Sequence, residues 1–254
     1  MKTVEKGNLT MDLTVMQWVV IAATGIMIGL AKTGIPALGI LVVTLMATVF
    51  PARESIGIVL PMLIIGDIVA VTYYRKTVDW PILSRLVPWV SGGLILGFIL
   101  LFTVTESRPI EIAIGLIVIG MILLQGVKGL QGDTQSTKPL WFIIGMGTLG
   151  GFTTMIGNAA GPVMTLFFLS YGLSKTQFVG TGAWFFLTVN LIKVPLFMYL
   201  GLITLQTLTI NALMIPVILA GTWLGIRLLP HIPQALFNRI VLILSFIGAV
   251  MLLV

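Results

Sequence analysis

The fold class this chain predicts is all-α and polytopic, a set of helices crossing a membrane, and three observations predict it. Of its 254 residues 58% are hydrophobic and only 9% are charged, which leaves too little polar surface to cover a water-soluble globule. Apolar segments recur along the whole length with short gaps. A spanning helix needs about 20 such residues, so there are several crossings and no room for a soluble domain. No segment alternates polar and apolar residues as a barrel strand does, and lipid satisfies no backbone hydrogen bond, which leaves helices.

Residues 1–13, "MKTVEKGNLTMDL", mix acids and bases ahead of the first apolar run. No small-residue cleavage site follows that run, so a tail is expected rather than a removed leader. Ten apolar segments come next, at about 14–31, 36–50, 55–75, 82–104, 109–127, 139–157, 160–172, 176–200, 204–228 and 234–254. Eight are long enough to span. Segments 36–50 and 160–172 reach only about 20 Å at the helical rise, against a hydrocarbon core of about 30 Å. Each follows a break rich in small residues, "AKTGIP" in the first case and "IGNAAGP" in the second. Stretches 14–50 and 139–172 are therefore expected to be broken or re-entrant helical hairpins, which survive in a membrane only where protein or a cavity covers the exposed backbone. Between the fifth and sixth segments the polar stretch 128–138 forms a linker.

The two breaks belong to a longer likeness. "IPALGILVVTLMATVFPARESIG" can be laid on "GPVMTLFFLSYGLSKTQFVG", and "SGGLILG" on "AGTWLG", so that Pro36 matches Pro162, Gly57 matches Gly180, Asp67 matches Asn190, and Gly93 and Gly97 match Gly221 and Gly225. The chain is expected to be two repeats, 14–127 and 139–254. Five segments is an odd number, so the second repeat must be inverted relative to the first, the plan of many secondary transporters in which broken helices meet near the midplane. Basic residues set the orientation. With each segment returning the chain, one face receives Arg75, Lys76, Arg85, Lys128, Lys138, Lys175, Arg227 and Arg239, and the other only Lys2, Lys6, Arg53 and Arg108. The richer face is cytoplasmic, the linker lies on it, and both termini are expected outside.

Three charged residues lie inside apolar segments or at their breaks: Lys32, Asp67 and Lys193. Each costs about 2.5–3.5 kcal/mol at the centre of a lipid-facing helix, so each must face protein or water. Lys32 sits where the next helix is expected to begin, at about Ile35 or Pro36, whose free amides and positive dipole end point into the same pocket. Lys32, Thr33, Gly34 and Pro36 are candidate anion ligands; the alternative is that the lysine reaches the cytoplasmic surface. In the second break Asn158 takes the place of a charge, and Gly157, Ala159 and Gly161 permit close approach of backbone to a solute. Tight helix crossing accounts for the same small residues. Asp67 either pairs with a lysine or exchanges a proton in step with transport. Lys193, about 10 Å from the outer end of its helix, either joins the site or reaches the outer surface. Asn190, three residues before it and the repeat partner of Asp67, is a candidate for the same cavity.

Other function classes find little support. The net charge of +6 is scattered singly through loops, with no run or face for nucleic acid. There is no cysteine, and His231 is the only histidine, so no metal site or bound cofactor is expected. No paired acids, histidine cluster or Ser/Lys dyad at credible spacing marks an enzyme. The partners expected are a small anionic solute and the lipid bilayer, with self-association left open. A carrier or channel for a carboxylate or a cation, and a noncatalytic subunit of a membrane complex, stand as alternatives.

The breaks "GLAKTGIPALGILVVTL" and "GFTTMIGNAAGPVMTLFFL", each followed by a short helix, a loop, and a helix ending near "TVDW" or "GLITL", resemble the sulfite exporter family of the TauE/SafE type over nearly the whole chain. That resemblance implies a bacterial-type multipass carrier of the cell membrane for small sulfur-containing anions such as sulfite or organosulfonates. Export is the direction the family name implies.

Overall fold

A computed structural model of the chain describes residues 13–36, 38–103, 119 and 138–251, and these are helical, with no strand among them. Local sequence sets the helix starts. Thr14 opens α1 (Val15–Thr33) with a capping box, its hydroxyl accepting from the Gln17 amide while the Gln17 side chain returns to the Thr14 amide. Ser174 with Gln177 starts α7 (Lys175–Tyr199) in the same way, and Thr204 with Thr207 starts α8 (Leu205–Leu228). The others are α2 (Leu38–Ala47), α3 (Ala52–Tyr74), α4 (Trp80–Thr103), α5 (Leu140–Gly157), α6 (Gly161–Ser170) and α9 (Gln234–Met251). Segment 109–127, most of the 128–138 linker and nearly all of the N-terminal tail lie outside the described residues.

Six helices, namely α1, α3, α4, α5, α7 and α8, are long and apolar enough to cross a membrane. By contrast α2 and α6 have 10 residues each, about 15 Å, half the hydrocarbon thickness. One expectation needs correcting. Helix α2 starts at Leu38 rather than at Ile35 or Pro36, and the amides of Leu38 and Gly39 donate to the Ile35 and Pro36 carbonyls at 3.0 and 3.1 Å. The tight turn at the proline spends those donors before they can face a solute.

Two helix pairs pack backbone to backbone. In the α1/α8 pair Gly29 faces the main chain of Gly221 and Thr222, while Gly221 faces Ile26; in the α4/α5 pair Gly93 faces Thr148 and Phe152, while Gly151 faces Val90 and Leu94. A Cβ at any of these four glycines would overlap main-chain atoms, the small-residue crossing that membrane helices use in place of a hydrophobic drive. Residue numbers rise together along both contacts, so each pair runs parallel. Helices α3 and α7 run antiparallel: Gly57 packs on Leu202 just beyond α7, and Gly180 packs on Tyr74 and Thr77 at the end of α3.

Two apolar clusters flank that central pair. The larger holds Phe167 and Phe168 of α6 with Phe178, Phe185 and Phe197 of α7 and Phe237 of α9. The smaller joins Ile21 and Ile28 of α1, Val42 and Met46 of α2, Met62 of α3 and Ile218 of α8. Helices α3 and α7 also carry the buried polar residues Asp67, Asn190 and Lys193.

Candidate functional site

Lys32 stands in the last turn of α1, where the helix stops short of α2. Its Nζ lies 2.8 Å from Asp67 Oδ1 of α3, with 9% of the lysine side chain exposed and none of the aspartate. The same ammonium lies 4.3 Å from the centroid of the Phe186 ring of α7, a cation–π contact. The other oxygen of the carboxylate, Asp67 Oδ2, accepts from Asn190 Nδ2 at 2.8 Å. Both carboxylate oxygens are thus engaged, one by a cation and one by an amide.

The second break is built around Asn158. It closes α5 in the left-handed conformation, φ 54°, a cap that asparagine tolerates better than most side chains. Its Nδ2 donates to the Ile56 carbonyl of α3 at 3.2 Å, and its Oδ1 accepts from Lys193 Nζ. Lys193, wholly buried, also donates to the Thr154 carbonyl at 2.7 Å and reaches Thr154 Oγ1 at 3.3 Å. Those three acceptors match the three hydrogens of an ammonium. Among the described residues no carboxylate touches it.

The electrostatic sum follows. Lys32 and Asp67 cancel, and Lys193, when protonated, adds one positive charge that has only neutral partners. Buried charge without a counter-ion is costly, and an anion in the adjoining space would offset it. Such a space exists. A cavity of about 40 Å³ has Lys32 and Pro36 of the first break, Asn158 and Gly161 of the second, and Thr165 and Asn190 on its wall. Phe168, Phe178 and Phe186 supply its apolar side. A Cβ placed on Gly161 would stand 3.8 Å from the Pro36 carbonyl, so the two breaks lie near each other.

A family model described as "Sulfite exporter TauE/SafE" matches residues 21–252. The chain belongs to the TauE/SafE family. No curated protein and no solved structure matches it. The matched residues include both breaks, both lysines and Asp67, and membership makes this chain a multi-pass membrane transport protein of the exporter type.

Several residues singled out in the sequence meet in this TauE/SafE chain: Lys32, Pro36, Asp67, Asn158, Gly161, Asn190 and Lys193 form the cavity wall or the polar chain behind it. Others stand apart. The Thr33 hydroxyl lies 2.8 and 2.9 Å from the Gly29 and Thr222 carbonyls, and its own carbonyl accepts from Tyr74, so it braces α1 against α8 and α3. Gly34 donates to Leu30 and packs beside Gly225. Gly157 and Ala159 flank Asn158 without reaching the cavity wall. Phe186 and Thr165 were not among the candidates. A signal for Phe186 was present, since Phe186, Asn190 and Lys193 fall at i, i+4 and i+7 on one face of α7.

Proposed function

We infer that this TauE/SafE chain is a secondary carrier of small sulfur-containing anions, sulfite or organosulfonates, which it holds near the membrane midplane between two broken helices. The observation that carries this reading is the buried cluster of Lys32, Asp67 and Lys193, two amines to one carboxylate, beside a cavity bounded by both breaks. An oxyanion there finds the Lys32 ammonium in a setting of low dielectric. A cation is disfavoured, because both oxygens of Asp67 are already engaged.

Two inverted repeats are part of the same reading. Their support is the antiparallel contact of α3 with α7, the repeat equivalents, and the reciprocal pairing of α1 with α8 and of α5 with α4. An inverting two-fold axis brings into mutual contact only those equivalent residues that lie on it. Asp67 and Asn190 bond to each other across 123 residues, the offset that also relates Gly57 to Gly180. On this plan α1–α2 and α5–α6 are re-entrant hairpins, α2 and α6 being too short to cross. The excess of loop lysine and arginine puts the α3–α4 connection in the cytoplasm and both termini outside, in a cell membrane.

Export is the direction proposed. Proton coupling falls to Asp67, since protonation would break its ion pair with Lys32. Flux into and out of proteoliposomes tests all this across sulfite, sulfoacetate, thiosulfate, sulfate and acetate, with and without a proton gradient. Saturable sulfite or sulfoacetate flux that outpaces acetate, and loses its gradient dependence in Asp67→Asn, is the expected result. A protein that moves none of the sulfur anions ends the proposal.

A further inference from the structure

Two buried polar atoms at the cavity have no partner among the described residues. Asn190 Oδ1 is one and Thr165 Oγ1 is the other, on side chains of residues 1% exposed each. Both residues form part of the cavity wall. The orientation of the Asn190 amide is settled by its neighbour: only Nδ2 can donate to the Asp67 carboxylate, so Oδ1 must be the atom left over. That atom is an acceptor and nothing else. A solute made only of acceptor oxygens leaves it unpaired or repels it, and an unpaired buried acceptor costs about 1–3 kcal/mol.

Charge points the same way. With Lys193 as an ammonium the cluster carries one net positive charge, so a singly charged anion brings it to neutrality and a doubly charged one leaves an unbalanced negative charge in a dry site. Donors for such a monoanion are at hand, because Lys32 gives one hydrogen to Asp67 and Thr165 has a free hydroxyl. What the wall still lacks is a hydrogen for Asn190 Oδ1. We propose that the site selects the monoprotonated, singly charged form of its oxyanion, hydrogen sulfite rather than the sulfite dianion, with the proton of the solute directed at Asn190 Oδ1. This deepens the carrier assignment and rests on it. The charge state of the solute, not its sulfur chemistry, is then what the cavity reads.

Equilibrium binding to the purified wild-type protein tests this without any substitution. The probes are sulfite, methanesulfonate, which is a monoanion with no acidic hydrogen, and sulfate, which is a dianion. Above the pH at which sulfite loses its last proton, its apparent Kd should rise about tenfold per pH unit, because only the competent fraction binds. Methanesulfonate should bind more weakly than hydrogen sulfite and with little pH dependence over that range, which separates titration of the solute from titration of the protein. Sulfate should bind weakest. Sulfite affinity that is flat through its titration, or sulfate bound as tightly as hydrogen sulfite, overturns the selection while leaving the carrier standing. Absence of binding by every probe removes both.

Discussion

Lys32 and Asp67 depend on each other, for neither has another group of opposite charge in contact among the described residues. Lys32→Ala strands a buried carboxylate and should cost about 3–5 kcal/mol, read as a lowered melting temperature in detergent. The double variant Lys32→Met with Asp67→Asn removes both charges and leaves an amide to face Asn190. It should regain most of that stability while still failing to bind sulfite, which parts the structural share of the pair from its share in binding. Lys193 is a different case because its partners are neutral. Lys193→Met should weaken sulfite binding by about tenfold or more, the equivalent of about 1.4 kcal/mol, and Asn158→Ala should weaken it less, since Thr154 still holds the ammonium. A titration on each purified variant measures both. These residues stood out in the sequence because an ionisable group within an apolar segment is expensive. Their partners did not: the Thr154 carbonyl belongs to the backbone, which every residue has, and Asn190 is 123 residues from Asp67.

Helix length was legible because the hydrocarbon thickness is a fixed ruler, and the two segments too short to cross appear as the ten-residue helices α2 and α6. The parallel pairing of α1 with α8 and of α4 with α5 was not legible, since small residues announce a close crossing without naming its partner. The glycines at those crossings lead to a sharp test. Gly93→Val pushes a branched side chain into the Thr148 carbonyl, and neither backbone can yield without parting α4 from α5, so little folded protein should survive size-exclusion chromatography. Gly145→Ala is the matching control on α5, where no atom lies within 4 Å of the added carbon. It should fold at least as well as wild type, alanine being the better helix former. The amides of α2 show where element-level reasoning fell short. A proline before a helix start promises open donors only if the chain does not turn tightly, and here it does.

On the proposed plan the whole molecule is one unit used twice, upside down the second time. Because the chain has no cysteine, single introduced cysteines report topology without background. Lys76→Cys, in the α3–α4 connection, should react with an impermeant maleimide only from the cytoplasmic side, and Tyr199→Cys, at the far end of α7, only from outside. Reaction of both from the same side would remove the inversion. The repeat was proposed from glycine and proline spacing, whereas the meeting of Asp67 with Asn190 needed the third dimension. The central claim is that an anion lies between the two breaks, and the most direct measurement is to see one there. Crystals soaked in selenite, the heavier analogue of sulfite, locate the anion by the anomalous scattering of selenium. The account predicts a peak in the cavity between Lys32 and Asn158, within hydrogen-bonding reach of Asn190. A selenium peak elsewhere in the bundle, with that cavity empty, would contradict it.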